Sequence, residues 1–315
     1  MNLLVTGGCG FIGSNFIEHV IEKKRICKLV NVDCLSYAGS LNNTKEFKNH
    51  PKYLLEEYDL SNYQKTYDTF YKHDITHVVH LAAETHVDNS ISDADAFLSS
   101  NVLGTHNLLK AALKFKIKRF HHVSTDEVYG HLSKGDKPFS ENTPYDPRNP
   151  YSASKAASDF IVRSYFHTHK LSTTISNCSN NYGPNQHKEK FIPTVINSLL
   201  QDDYIPVYGK GDNIRDWIYV EDHCSAIWKI LTKGRNGETY LVGANCEKTN
   251  LEIINEICRI LKKDPKEYIT HIKDRLGHDF RYAIDSSKLK EKLKWKPKMK
   301  LSKGLKQTIG GYKDA

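Results

Sequence analysis

Along the first half of the chain, short apolar runs alternate with stretches in which apolar residues recur every three to four positions. The runs predict strands at Leu3–Thr6, Lys28–Asp33, Tyr53–Leu55, His77–Leu81, Arg119–Ser124 and Ser172–Asn177. The helical periodicity between them predicts helices at Ile12–Lys24, near Tyr63–Lys72, near Asp93–Phe115 and from about Tyr151 to His169. This alternation predicts an α/β fold, a doubly wound parallel sheet with helices on both faces. Right-handed crossovers then bring every strand C-terminus to one edge, where ligands bind. The polar stretch His131–Pro150, with prolines at 138, 144, 147 and 150, predicts a long loop acting as a lid or as a wall of the site. Past it the pattern loosens into shorter elements. Residues 1–176 are therefore expected to form the sheet domain and 177–315 a smaller mixed α/β domain, with segments such as 214–233 returning to the first.

Composition narrows the class. The 315 residues suffice for one large or two modest domains with a buried core. Mean hydropathy is −0.57, and no run approaches the ~18 apolar residues of a membrane-spanning helix. No signal peptide is expected, because strand-like residues and then glycines follow the start directly. The seven cysteines contain no C-x-x-C pair, which argues for a reducing cytoplasm over a disulfide scaffold or zinc ribbon. Sixteen histidines contain no H-E-x-x-H, and no metal site is expected. The net charge of +8 owes much to the lysines between 288 and 306. A nucleic-acid-binding tail would explain them. The apolar Leu289, Leu293, Trp295 and Leu301 interleaved among them favour the solvated face of a packed segment, so neither nucleic acid nor membrane is expected as a partner.

Between the first strand and first helix lies Thr6-Gly7-Gly8-Cys9-Gly10-Phe11-Ile12-Gly13. It fits G-x-G-x-x-G through Gly8, Gly10 and Gly13, and a three-spaced version through Gly7, Gly10 and Gly13. Glycines there permit a tight turn, close approach of backbone to a pyrophosphate, and a helix N-terminus that faces the phosphates. Asp33 ends the second strand, twenty residues after Gly13. Its carboxylate suits two ribose hydroxyls and repels a 2′-phosphate, so NAD is expected rather than NADP.

Tyr151 and Lys155 open the helix after the proline-rich loop, one turn apart on one face. A free phenol is a poor base at neutral pH, and making it a good one takes about 4 kcal/mol of preferential phenolate stabilisation. A neighbouring ammonium and a cationic nicotinamide are the groups that could provide it. The alternative is a surface Tyr–Lys pair.

Ser124-Thr125-Asp126-Glu127 follows the fifth predicted strand. Ser124 and Glu127 match a capping box that would merely start a helix. The chemical reading is a carboxylate pair in which repulsion keeps one acid protonated and leaves the other as a base. Adjacent residues of a strand point to opposite faces, so both can reach one substrate only if the chain turns there.

Seven segments together resemble one family: TGGCGFIGSNF (6–16), LSYAGSLNN (35–43), LAAETHVDNSI (81–91), STDEVYG (124–130), NPYSASKAASD (149–159), CSNNYGP (178–184) and GDNIRDWIYVEDH (211–223). The chain is similar, nearly end to end, to the nucleotide-sugar 4,6-dehydratases of the dTDP-glucose 4,6-dehydratase family, within the extended short-chain dehydrogenase/reductase superfamily. The resemblance implies a Rossmann-type NAD domain over 1–176 and a sugar-nucleotide domain over 177–315. For NAD it implies Gly7, Gly10, Phe11, Ile12 and Gly13, then Asp33, Cys34, Leu35 and Ser36, then Asp59 and Leu60. Leu81, Ala82, Ala83 and Glu84, with Ser100, Tyr151, Lys155 and Asn181, would complete that site. For the sugar nucleotide it implies Thr85, Thr125, Asn180, Lys190, Phe191, Pro206, Tyr208, Arg215, Asn250, Asp274, Arg275 and His278. The guanidinium forks of Arg215 and Arg275 suit a diphosphate.

By the same resemblance the catalytic residues are Thr125, Asp126, Glu127, Tyr151 and Lys155. Tyr151 would deprotonate the glucose 4-hydroxyl, Glu127 would take the C5 proton and Asp126 would protonate the departing C6 hydroxyl. The expected product is a 4-keto-6-deoxyglucose nucleotide for deoxysugar (for example rhamnose) biosynthesis. A homodimer through the helices near 93–115 and 151–169 is also implied. Leu276, Phe280, Asn89 and Ser100 depart from the usual bacterial pattern, and Asn89 is similar to eukaryotic relatives that use UDP-glucose. The base therefore stays open between thymine and uracil. A 4-epimerase or decarboxylase, or an NAD-binding module without catalysis, are the alternatives; the acid pair argues against them.

Overall fold

The computed structural model describes residues 1–22, 26–274 and 278–313. Its sheet is built from β1 (Asn2–Thr6), β2 (Lys28–Asp33), β3 (Tyr53–Glu57), β4 (His77–His80) and β5 (Arg119–Thr125). The first helices are α1 (Phe11–Ile21), α2 (Tyr63–His73), α3 (Val87–Ser92), α4 (Asp95–Phe97) and α5 (Gly104–Lys114). Then follow α6 (Pro150–His169), β6 (Thr173–Cys178), β7 (Asn180–Tyr182), α7 (Phe191–Leu200), β8 (Ile205–Tyr208) and β9 (Ile214–Tyr219). The remainder comprises α8 (Val220–Lys233), β10 (Thr239–Val242), β11 (Glu247–Thr249), α9 (Asn250–Leu261), α10 (Pro265–Tyr268), β12 (Ile269–Ile272), α11 (Ser287–Leu293) and α12 (Leu301–Lys313).

Seven strands pair in the order β10-β6-β5-β4-β1-β2-β3, all parallel. Consecutive residues of β1 serve opposite faces, as strand geometry requires. Leu4 packs with Val78, Leu108, Leu109 and Phe120 under α2, α5 and α6, while Leu3 and Val5 pack with Phe16, Val20, Cys224 and Ile227 under α1 and α8. The chain therefore crosses back after residue 177: α8 covers one face and β10 pairs with β6 at the edge. A third apolar cluster joins α7, α9, β8 and β9, around Ile192, Ile196, Ile205, Trp217, Ile253 and Ile257. Among the described residues, no helix is long and apolar enough to cross a membrane.

The α/β class and the parallel sheet agree with the hydrophobic pattern. The helix expected near Asp93–Phe115 forms as one uninterrupted run of α4, a π-helical turn at Leu98–Leu103, and α5, with helical backbone at both junctions. Asn101 accounts for the widened turn. Its side chain accepts from Glu84 N at 2.9 Å and donates to Glu84 O at 3.1 Å and Ser154 Oγ at 2.8 Å. Its carbonyl is claimed by the hydroxyls of Thr105 and Ser158. That competition for a helical acceptor favours a widened turn. α1 ends at Ile21; the last expected residues of that helix, 23 and 24, lie outside the described residues.

The stretch from His131 to Pro150 packs on the segment 281–285, and none of its residues lines the cleft at the strand ends. Leu132 N donates to Arg281 O at 3.0 Å, Phe139 N to Ala283 O at 2.9 Å, and Asp285 N to Phe139 O at 2.8 Å, with Leu132 and Phe139 buried. Arg281 adds a bidentate pair to Glu247 at 2.6 and 2.8 Å and a bond to Asp136 O at 2.8 Å. The C-terminal lysine stretch packs as its spacing suggests: Leu289, Leu293 and Trp295 are buried, and Lys290, Lys292, Lys294, Lys296, Lys298 and Lys300 are exposed.

Candidate active site

The C-terminal ends of β1, β2, β4 and β5 open into one cleft whose cavity is about 310 Å³. Its floor is the glycine loop, and each glycine is small for a different reason. Gly7 has φ +70°, and a Cβ there would sit 2.7 Å from Ala82 N. A Cβ on Gly13 would collide with the backbone of Gly7 and Gly8. At Gly10 a Cβ would meet only Gly7 O, at a tight 3.3 Å. Its lack of a side chain leaves cleft volume beside the N-terminus of α1, which no side chain caps. A polyanion fits such a cradle.

Asp33 closes the adjoining end. Its oxygens accept Cys9 N at 2.8 Å and Leu35 N at 2.9 Å. Burial pushes its carboxyl up, and the backbone N–H groups of Leu35, Cys9 and Cys34 pull against that rise. Each oxygen keeps a lone pair for a hydroxyl donor. With the glycine cradle, this donor and acceptor set fits a dinucleotide with a free ribose diol, as NAD has.

At the other end the chain turns directly after β5. Asp126–Tyr129 is a single 3₁₀ turn, capped by Thr125, whose hydroxyl accepts Glu127 N at 3.2 Å. The Ser124–Glu127 capping box therefore does not form, and the cap belongs to the next residue. The turn lets consecutive acids share one site: Asp126 is 2% exposed and Glu127 is half-buried on the cleft. Burial first, then the charges of Glu127 and Asp216, hold the Asp126 carboxyl well above the usual range. Asp126 accordingly keeps its proton to higher pH than an ordinary carboxyl does.

Tyr151 and Lys155 face the same cleft from α6, which begins at Pro150 with Asn149 and Ser152 as a capping box. The Tyr151 ring meets Phe97 edge-on at 6.3 Å. Burial, then Glu127 and Cys178, push its phenol well up, while the Thr125 hydroxyl pulls it down. Lys155 is 4% exposed, and its ammonium donates to Val123 O at 2.9 Å. Burial lowers its pKa against the pull of Asp159.

The cleft brings together most of the expected residues. Gly7, Gly10, Phe11, Ile12, Gly13, Asp33, Cys34, Ser36, Asp59, Leu60, Leu81, Ala82, Ala83, Glu84, Ser100 and Asn181 line it, with Thr85, Asn180 and Lys190 and all five expected catalytic residues. Leu35 does not line it; it has φ +53° and gives its N–H to Asp33. Phe191, Pro206, Tyr208, Arg215, Asn250, Asp274 and His278 also lie off this cleft, on α7, β8, β9 and α9 and past β12. There His278 bonds Asp274 at 2.6 Å and meets the Tyr208 ring edge-on. Arg275 and Leu276 lie outside the described residues. Sequence reasoning missed Gly39, Tyr58, Cys178, Gln186 and His187 on the cleft. Ala38-Gly39 and Cys178 stand inside quoted segments and could have been found; Gln186 and His187 carry no local signal.

The whole chain compares closely with known proteins. The model of the GDP-mannose 4,6-dehydratase family matches residues 4–308. The dTDP-glucose 4,6-dehydratase of Haemophilus influenzae is 44% identical over 331 residues, covering 99% of this chain and 98% of that one. Among solved structures, the dTDP-glucose 4,6-dehydratase of Bacillus anthracis in complex with NAD superposes with a TM-score of 0.93 at 41% identity, covering 100% and 97% of the two chains. The fold is shared more widely, since the UDP-glucose 4-epimerase of Thermotoga maritima with UDP-glucose reaches 0.92 at 28% identity over 100% and 99%. The family match over nearly the whole chain, joined to 44% end-to-end identity, settles its membership: the chain belongs to the nucleotide-sugar 4,6-dehydratase family, alongside the dTDP-glucose 4,6-dehydratases.

Proposed function

We propose that the protein converts dTDP-glucose or UDP-glucose to the 4-keto-6-deoxyglucose nucleotide and water, with NAD retained throughout the cycle. The single observation that carries this is the acid pair: a buried Asp126, its carboxyl held above the usual range, directly before a cleft-facing Glu127. Inverting C4 requires neither a second acid nor a second base; removing water across C5 and C6 requires both. Names of the curated relatives favour the thymidine nucleotide.

The glycine cradle and Asp33 would hold NAD, which supplies a hydride acceptor that is also the donor, and a positive charge near Tyr151. That charge, with Lys155, opposes the burial that keeps the Tyr151 phenol protonated. Tyr151 then takes the proton of the 4-hydroxyl with Thr125 beside it. The resulting 4-ketone acidifies the C5 hydrogen, and Glu127 removes that proton. Asp126 gives its proton to the C6 hydroxyl, which leaves as water. The hydrogen lost from C4 ends on C6 and C5 is reprotonated, so the balance is one water. Thr85, Asn180 and Lys190 would hold the sugar end within the cleft, and Phe191, Pro206, Tyr208, Arg215, Asn250, Asp274, Arg275 and His278 the nucleotide beyond it. In this reading residues 1–176 serve NAD and 177–315 the sugar nucleotide, with 214–233 packed back on the first part.

The reading includes a homodimer. Leu98 and Leu103 on the π turn, Ile91 on α3 and Phe160 on α6 are 53%, 44%, 52% and 56% exposed, apolar side chains on the helices expected to pair. It also includes a cytoplasmic setting, which seven unpaired cysteines support.

The test offers dTDP-glucose and UDP-glucose separately to the purified protein in deuterated water without added NAD, and weighs the product. Loss of one water with one deuterium at C5 is expected, and the faster substrate names the base. Unchanged mass with both substrates, despite bound NAD, would overturn the reading.

A further inference from the structure

Arg215 is held rigidly where it stands on β9. Its Nη1 donates to Ile214 O at 2.8 Å and Phe280 O at 3.2 Å, and its Nη2 to Asp279 O at 2.9 Å. The guanidinium lies over the Tyr282 ring, with Cζ 4.4 Å from the ring centroid. Tyr282 is 5% exposed, and its hydroxyl donates to Asp279 Oδ2 at 2.5 Å. The other Asp279 oxygen is 3.8 Å from His131 Nδ1, at the start of the proline-rich stretch. The segment bearing these groups is itself fixed by two backbone bonds, Ile214 N to Phe280 O at 2.8 Å and Tyr282 N to Ile214 O at 3.0 Å.

A guanidinium has five N–H donors. Three are spent on the carbonyls above, which leaves Nε–H and one Nη2–H unspent among the described residues. Nε and Nη2 form one edge of the group, the geometry that matches two oxygens of a phosphate. An arginine free to swing would lose rotamer freedom on binding; one already braced on a ring and three carbonyls loses little. Phe280 takes part only through its carbonyl, so the unusual side chain there leaves the bracing intact.

We propose that Tyr282 is a positioning residue of the substrate site: its ring, locked by Asp279, holds Arg215 so that the Nε–Nη2 edge meets the diphosphate of the sugar nucleotide. The proposal rests on the sugar-nucleotide reading above, and its test separates the two. The NAD-retaining protein is titrated calorimetrically with dTDP, UDP and the corresponding nucleosides. Tyr282→Leu should weaken the preferred nucleoside diphosphate about tenfold and leave the nucleoside unchanged. KM should rise in parallel, with kcat held within about twofold. Tyr282→Phe keeps the ring and should stay within about threefold of wild type. Diphosphate affinity untouched by Tyr282→Leu but lost in Arg215→Ala would overturn the role of Tyr282. Affinity untouched by Arg215→Ala would overturn the diphosphate reading itself. A measurement on the unaltered chain covers a Leu variant that fails to fold. The Arg215 Nε–H resonance, assigned by its loss in Arg215→Lys, should shift with the nucleoside diphosphate and not with the nucleoside; a resonance indifferent to both would overturn the proposal.

Discussion

Asp126 and Glu127 are adjacent in sequence and unlike in setting: Asp126 is 2% exposed, and Glu127, half-buried on the cleft, supplies part of the field that raises the Asp126 carboxyl. The 3₁₀ turn beginning at Asp126 is what allows both to serve one substrate.

Glu127→Gln should separate the two halves of the reaction. Tyr151 and Lys155 remain, so oxidation at C4 proceeds and the absorbance of reduced nicotinamide accumulates on the enzyme. Loss of the base should slow elimination about 10²–10⁴-fold. Stopped-flow absorbance and product mass read the two steps separately, and wild-type water loss in this variant would remove Glu127 from the base role.

Asp126→Asn should trade activity for stability. A carboxyl whose folded pKa is raised binds its proton more tightly folded than unfolded, so it costs stability as pH climbs above the unfolded value of about 3.9. Asparagine has no such cost. The variant should melt higher than wild type near neutral pH, with the gap closing below about pH 4, and it should dehydrate poorly because an amide cannot donate the proton. Thermal melts across pH decide; a gap that does not change with pH would mean that Asp126 is not buried as an acid.

Asp33→Asn should reduce the NAD that accompanies the purified chain. The carboxylate holds Cys9 N and Leu35 N, and the amide can accept only with its oxygen, so one N–H loses its partner at a cost of about 1–3 kcal/mol. Dinucleotide released on denaturation, counted per chain, measures the effect. Wild-type occupancy would show that Asp33 is not what holds the cofactor.

Some of this was legible in the sequence, and the limits are physical. The sheet could be read because β1, β2, β4 and β5 are buried almost throughout and carry short clusters of Leu, Val and Phe. Gly7, Gly10, Asp33, Tyr151 and Lys155 could be placed because each sits at a fixed offset from a strand end or helix start. The π turn at Leu98–Leu103 could not, since Asn101 widens it through Glu84, Ser154 and Ser158, partners far along the chain. The cap at the acid pair was readable in kind and wrong by one residue: serine and threonine both cap, and only the path of β5 decides which one does. The bracing of Arg215 by Tyr282 joins residues 67 positions apart and leaves no local signature.

Asp159, 0% exposed, lies on α6 one turn past Lys155. Its Oδ2 accepts from Tyr145 at 2.7 Å and Asn177 at 3.1 Å, and its Oδ1 is 3.3 Å from His122 Nε2. Burial alone would raise this carboxyl, but His122, Lys155 and Tyr145 outweigh burial and hold it below the usual range. A carboxylate held low contributes stability that is present above the unfolded pKa of about 3.9 and lost as pH falls through the lower folded value. Asp159→Asn should therefore destabilise the fold by about 3–5 kcal/mol near neutral pH, because a buried ammonium is left without its counter-charge. The deficit should shrink in acid, where wild type loses the same charge. Lys155 would then shed its proton more readily, and the activity limb that reports Tyr151 deprotonation should move to higher pH. Urea melts at several pH values with the pH–rate profile test both arms. A deficit constant with pH, beside an unmoved limb, would mean that Asp159 acts through its hydrogen bonds to Tyr145 and Asn177 and not through its charge.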